Sequence, residues 1–273
     1  MSHGDTRDAG LRRVLTAPAG AGVPPARPEF DEAYFTAISN YTGGRYDAYN
    51  PPHKIAGYLG EIRRVKPTGI LLDVGCAFGR FLAAACAHYA CEGLDISRYA
   101  LGFARDALPR VRLHRAALET YASDRTYDVV TCFDVLEHVP DLDAALRSLR
   151  RLVAADGIVA LAVPVYDSPP GWVFRIVDRD PTHVHKFSRW KWLTRLREAG
   201  LEPVVFKGIL RVPLPGYFVH IISAWLRWSS SAIFVICRPT GGAGEIASPG
   251  LLWSRLGHSR RIGGVDPFRH APP

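Results

Sequence analysis

The clearest chemistry in this 273-residue chain lies in a few acids and imidazoles set beside small residues. In LLDVGCAFGR at 71–80, Asp73 is followed by Gly75, Ala77 and Gly79 at alternate positions. Leu71 and Leu72 read as a buried strand. The small residues read as a tight turn that lets a ligand approach the backbone, and Arg80 starts a helix. A second acid, Asp95, closes the apolar run CEGL and follows Gly75 by 20 residues. A nucleotide-binding α/β unit places an acid at that spacing to accept hydrogen bonds from ribose hydroxyls. The turn lacks the G-x-G-x-x-G spacing of a dinucleotide site and the Lys-Ser/Thr pair that grips phosphates. An acid at the strand end repels a phosphate and suits a cationic group.

A second group is built for proton transfer. Asp134, Glu137 and His138 form D-x-x-E-H, and RDPTHVHKFSRWKW at 179–192 carries His183 and His185. Imidazole titrates near neutral pH, which makes His185, His138 and His183 the candidate general bases. Two carboxylates and two imidazoles (Asp134, Glu137, His138, His185) could also hold a divalent ion. The expectation is nevertheless that no metal binds.

The turn at 71–80 resembles motif I of the class I S-adenosylmethionine (SAM)-dependent methyltransferases. Asp73, Gly75 and Gly79 match that motif, and Asp95 matches the acid that binds both ribose hydroxyls. Ala77 stands where the middle glycine is usual; a methyl there is tolerable at a negative φ. The resemblance continues in order through 127–164 and 187–206 and covers about residues 51–238. It implies SAM as cofactor, held by Asp73, Gly75, Cys76, Ala77, Gly79, Asp95 and Ile96. Phe133 and Asp134 would flank the sulfonium. The usual adenine-binding acid is Ala116 here, so adenine would rely on Ala117 and Leu118, with Glu119 as a substitute. In the ubiquinone-pathway O-methyltransferases and the small-RNA 2′-O-methyltransferases, an E-x-x-E-H run binds a divalent ion. Asp134 replaces the first Glu of that run.

Composition bounds the partners. The net charge is +8, but half of the excess lies in residues 1–30 and 238–273, which weakens a nucleic-acid reading. The segment 175–211 carries nine Lys and Arg against four acids; it reads first as a solvated helix face and second as a basic rim for an anionic small-molecule acceptor. The five cysteines show no C-x-x-C spacing, which points to reduced thiols and a cytoplasmic protein. No stretch reaches the ~20 apolar residues of a transmembrane helix. Oligomeric state is not legible.

Strands alternating with helices must position these groups. The expected fold is α/β: a Rossmann-like sheet of seven strands in the order 3-2-1-4-5-7-6 with the last antiparallel, and helices on both faces. Residues 1–28 and 239–273 read as disordered tails, 29–66 as lid helices, and 67–238 as the methyltransferase domain. Tyr41, Tyr46, Tyr49 and Lys54 are lid candidates, and 216–228 reads as an amphipathic helix. The expected function is methyl transfer from SAM to a small-molecule acceptor, at oxygen. The alternatives are a metal-dependent RNA 2′-O-methyltransferase and a non-catalytic SAM-binding protein.

Overall fold

A computed structural model describes residues 30–40, 50–178, 180–214 and 217–241. Residues 1–28 and 242–273 of the two tails, with Tyr41, Tyr46 and Tyr49, lie outside the described residues. Helices α1 (Glu32–Asn40) and α2 (Pro52–Val65) precede the sheet. Pro51 and Pro52 start α2 because a proline in the first turn gives up no intrahelical hydrogen bond. The chain then alternates: β1 (Ile70–Val74), α3 (Arg80–Ala85), β2 (Ala90–Asp95), α4 (Arg98–Ala107), β3 (Arg112–Arg115) and β4 (Tyr127–Phe133). After a 3-10 turn at Leu136–His138 come α5 (Leu142–Leu152), β5 (Val153–Pro164), α6 (Pro169–Val177) and α7 (Arg189–Glu198). Strands β6 (Leu201–Leu214), β7 (Tyr217–Ser223) and β8 (Ala232–Pro239) complete the fold. Ser97, Asp141, Ser168 and Ser188 cap α4 to α7, each accepting from a backbone N–H in the first turn.

The sheet has eight strands in the order β3-β2-β1-β4-β5-β8-β6-β7. Its first seven positions are the expected order, with β8 antiparallel to both neighbours. The eighth strand, β7, corrects the expected helix at 216–228. Val219, Ile221 and Ile222 are β-branched, and Arg211 and Ile209 on β6 offer an open edge to His220 and Ile222. A strand partner outweighs a helical spacing of aromatics there. Only a single 3-10 turn, Trp225–Trp228, remains of the helix.

Alternation along the strands divides the core. Leu72, Val130 and Leu161 face α5 and α7, packing with Leu146, Leu149 and Trp192. Leu71, Val129 and Ala160 face α2 and α3, packing with Tyr58, Ile62 and Leu82. Asp73 and Thr131 share the parity of Leu71 and Val129, so both polar side chains enter the α2 and α3 face at the strand tips. The β6–β7 hairpin extends past Ile209, where pairing with β8 ends. Lys207 pairs with Glu61 of α2 at 2.7 Å, and Ile222 packs under Gly57 of the same helix. The hairpin therefore brings β6 and α2 together over the carboxyl ends of the central strands.

Candidate active site

Those carboxyl ends open into one cavity of about 780 Å³. Its wall includes twelve expected site residues: Asp73, Gly75, Cys76, Ala77, Asp95, Ile96, Ala117, Leu118, Phe133, Asp134, His138 and His183. Gly79 and His185 do not line it.

At one pole, β1 runs into the small-residue turn. Gly75 has φ +72°, and a methyl there would overlap Val135. Ala77 has φ +44°, so the negative φ that would make its methyl tolerable is not met: this L-residue sits in the left-handed region. The turn holds it there because its N–H donates to Asp95 Oδ2 at 2.8 Å. Ser97 N–H donates to Oδ1 at 2.7 Å, so two backbone amides fix the Asp95 carboxylate. Gly79 (φ +74°) serves packing instead, since a side chain there would meet Leu108 and Ala104 of α4. Asp73 is buried, and its Oδ1 accepts from the Thr131 hydroxyl at 2.6 Å. Burial pushes its carboxyl up to about 7; the Thr131 hydrogen bond opposes this and the Asp95 charge adds to it. A buried acid poised there gains most from a cationic ligand group. Burial likewise raises Asp95 and the Cys76 thiol.

At the other pole, the loop after α6 folds back onto the 3-10 turn. Val184 and His185 N–H both donate to the Glu137 carbonyl, which sets His183 beside His138 with ring centroids 4.7 Å apart. His183 Nδ1 meets both Asp178 oxygens at 2.8–2.9 Å. Tyr166 donates its hydroxyl to the same carboxylate, and Lys186 pairs with it at 3.1 Å. Burial would lower His183, but Asp178, Glu137 and Asp180 together raise it. His138 is pushed down to about 4 by burial and by His183. The Thr182 hydroxyl donates to Asp180, so His138 Nδ1–H donates to Thr182 Oγ1 at 2.7 Å. Glu137 is fully buried; burial and the Asp134 charge push it up to about 8. Its Oε2 has no hydrogen-bond partner among the described residues. His185 is turned away: its ring bonds the Val139 carbonyl at 2.8 Å and packs on Phe187.

Asp134 sits between the poles with φ +55°. Lys54 Nζ lies 3.0 Å from Oδ2, and Arg211 pairs with Oδ1. Burial works the other way, yet these two cations hold the carboxyl well below the usual range. The basic rim expected at 175–211 contracts accordingly. Lys186, Arg189, Arg195, Arg197 and Lys207 are spent on Asp178, Asp167, Asp143, Glu202 and Glu61. Among the described Lys and Arg of that segment, only Arg211 lines the cavity. Sequence reasoning missed Asp178 and Arg211. The dense Asp/His alternation DRDPTH at 178–183 was the available signal for the first, and nothing local marked the second.

A family model described as a methyltransferase domain matches residues 46–205. The chain belongs to this family. It is a class I methyltransferase, an enzyme that uses SAM, and the acids and turn just described are suited to that cationic cofactor. Ubiquinone biosynthesis O-methyltransferase of Aromatoleum aromaticum is 32% identical over 163 residues, covering 53% of this chain and 68% of the relative. The Nitrosomonas europaea protein of that name is 27% identical, covering 66% and 85%. A SAM-dependent methyltransferase of Thermotoga maritima shares the fold, with a TM-score of 0.57 at 16% identity over 76% of this chain and 98% of that one. So does the 1,6-didemethyltoxoflavin-N1-methyltransferase of Burkholderia thailandensis, solved with S-adenosylhomocysteine (TM-score 0.52, 18% identity, 75% and 86% covered). No described helix is long and apolar enough to cross a membrane.

Proposed function

We propose that this methyltransferase acts in the cytoplasm on a small-molecule acceptor, transferring the methyl group to an oxygen with His183 as the general base. The observation that carries this reading is the Asp178–His183 pair on the wall of the cavity that also holds Asp73 and Asp95. The names of the curated relatives support oxygen as the acceptor atom. The unpaired cysteines agree with a reducing compartment.

SAM supplies an activated methyl group on a sulfonium. Asp73 would hold its cationic methionine end, directly or through water, and Asp95 its ribose hydroxyls. Ala117 and Leu118 would border the adenine, and Phe133 the sulfonium side. His183, its Nδ1 fixed by Asp178, would take the acceptor hydroxyl proton on Nε2 as the oxygen lone pair forms the new C–O bond and the C–S pair returns to sulfur. Alignment of donor and acceptor contributes most of the acceleration, about 7–11 kcal/mol at best. Base catalysis adds about 10²–10⁴-fold. His183→Ala should lower kcat by about that factor with S-adenosylhomocysteine affinity unchanged; full activity would sink the assignment.

One observation favours a second reading. Glu137, His138 and His183 each offer a ligand atom, all within 4.8 Å of one another. The donor set suits a divalent ion, with Asp178 orienting one imidazole from behind. His183 takes the place expected of His185, and Asp134 is committed to its cations. A bound ion would acidify the acceptor hydroxyl, as a metal-dependent RNA 2′-O-methyltransferase reading requires. Loss of activity in EDTA with recovery on adding Mn²⁺ or Zn²⁺ would select it.

A further inference from the structure

Trp172, Trp190, Trp225 and Trp228, four of the six tryptophans in the chain, are exposed, Trp225 by 94%. Leaving so large an apolar ring in water forgoes burial that folding usually takes. The four are gathered, not scattered. Buried Arg189 pairs with Asp167 at 2.9 Å and donates to the carbonyls of Arg227 and Ser230. Ser168, the cap of α6, donates its hydroxyl to the same Ser230 carbonyl at 2.7 Å. Helix α6, the start of α7 and the Trp225–Trp228 turn therefore leave one junction. The rings of Trp190 and Trp228 lie 5.2 Å apart across it.

Helix α6 is apolar beyond what the core uses. Trp172, Val173, Ile176 and Val177 are exposed, Ile176 by 82%. Val173 and Val177 also line the cavity, so its mouth opens along this helix. An exposed apolar surface of this kind marks an interaction site. Its charge indicates the partner. Each tryptophan-bearing element carries an exposed cation: Arg175 on α6, Lys191 on α7 and Arg227 in the turn. No acid occurs at 168–177, 188–197 or 203–244. Asp167 and Asp178, which flank α6, are engaged by Arg189 and by His183 and Lys186. Like charges on one face oppose a second copy laid symmetrically against it. Indoles and cations beside aliphatics instead match the edge of a bilayer. There the ring sits at headgroup level and the cation meets lipid phosphate.

We propose that this face docks on a bilayer carrying anionic headgroups. Trp172, Ile176 and Trp225 enter the headgroup boundary, Arg175, Lys191 and Arg227 meet the lipid phosphates, and the cavity mouth along α6 faces the membrane. The docking surface does not depend on which atom of the acceptor is methylated.

The full chain is sedimented with vesicles of phosphatidylcholine alone and with vesicles holding about 30% phosphatidylglycerol, at about 0.1 M salt. It should bind the anionic vesicles about tenfold or more tightly, and about 0.5 M salt should remove most of that preference. Arg175→Gln with Arg227→Gln should weaken binding to the anionic vesicles about tenfold or more, since each cation near such a surface is worth about fivefold. Trp172→Ser with Trp225→Ser should weaken it by about tenfold or more as well, while the preference for anionic over neutral lipid remains. S-adenosylhomocysteine affinity should be the same in all three proteins. If a double variant does not fold, Arg227→Gln or Trp225→Ser alone is read in its place. Three results would each overturn the proposal. The first is equal binding, or none, to the two kinds of vesicle. The second is binding undiminished in either variant. The third is self-association in sedimentation velocity, without vesicle binding, that the tryptophan substitutions abolish; it would assign this face to a second copy of the chain.

Discussion

With Asp73 at the cationic methionine end of SAM, as proposed, cofactor binding should release protons. The residue is 4% exposed, and burial pushes its carboxyl up to about 7. In the empty site at pH 6.5 the group therefore carries roughly three quarters of a proton. A cationic amine about 4 Å away, at an effective dielectric constant near 20, is worth about 4 kcal/mol, enough to ionise Asp73 fully. Binding S-adenosylhomocysteine should then release roughly 0.75 proton at pH 6.5, with Asp95 adding to the same sign because burial raises it too. A group whose proton leaves on binding makes affinity rise with pH, by about fifteenfold between pH 5.5 and 7, and level off above. Calorimetry in phosphate and in imidazole buffer measures the released proton from the difference in apparent enthalpy. Asp73→Asn keeps the shape and the Thr131 contact, and should abolish most of the release while weakening binding at pH 7.5. Release below about 0.2 proton in the parent chain, or equal release in the variant, would refute the placement of a cation at Asp73.

Three further outcomes follow from the same geometry. Ala77→Gly removes a left-handed L-residue worth about 1–2 kcal/mol and restores about 0.5–1 of unfolded-chain entropy, so thermal unfolding should shift up slightly, by about 0.5–1 kcal/mol. Gly75→Ala adds a methyl in overlap with Val135 at φ +72° and should destabilise by about 2–4 kcal/mol in urea unfolding. Asp178→Asn should lower kcat about tenfold or more and move the acidic limb of the pH–rate profile downward. The sign follows from His183, whose raised pKa requires higher pH for the neutral base and falls when its carboxylate partner is removed.

The pole of Asp73 and Asp95 was legible because it is local. Asp73, the small-residue turn and Asp95 lie within one strand–helix–strand unit, and their spacing alone places them at adjacent strand ends. Ala77 shows the limit of that legibility: its type suggested an ordinary φ, and the hydrogen bond to Asp95 decided otherwise. The pole of His138 and His183 joins groups far apart in the chain. His183 and His185 are equivalent in sequence, yet the His183 N–H donates to the Asp180 carbonyl and the His185 N–H to that of Glu137, and the rings part, one to Asp178 and the other to the Val139 carbonyl. Arg211 was hidden because the hairpin that delivers it reads as a helix by its aromatic spacing. Its neighbour Lys54 was visible only as part of a lid.

The central claim is that SAM and an oxygen acceptor meet in this one cavity with His183 between them. Methyl-¹³C-labelled SAM, incubated with the enzyme and a small-molecule extract, tests it directly by carbon–proton correlation NMR. The account predicts a new methoxy resonance that appears with the parent chain and is lost with His183→Ala, although that variant still binds S-adenosylhomocysteine. Label appearing on nitrogen or carbon, or a methoxy signal undiminished in the variant, would contradict it.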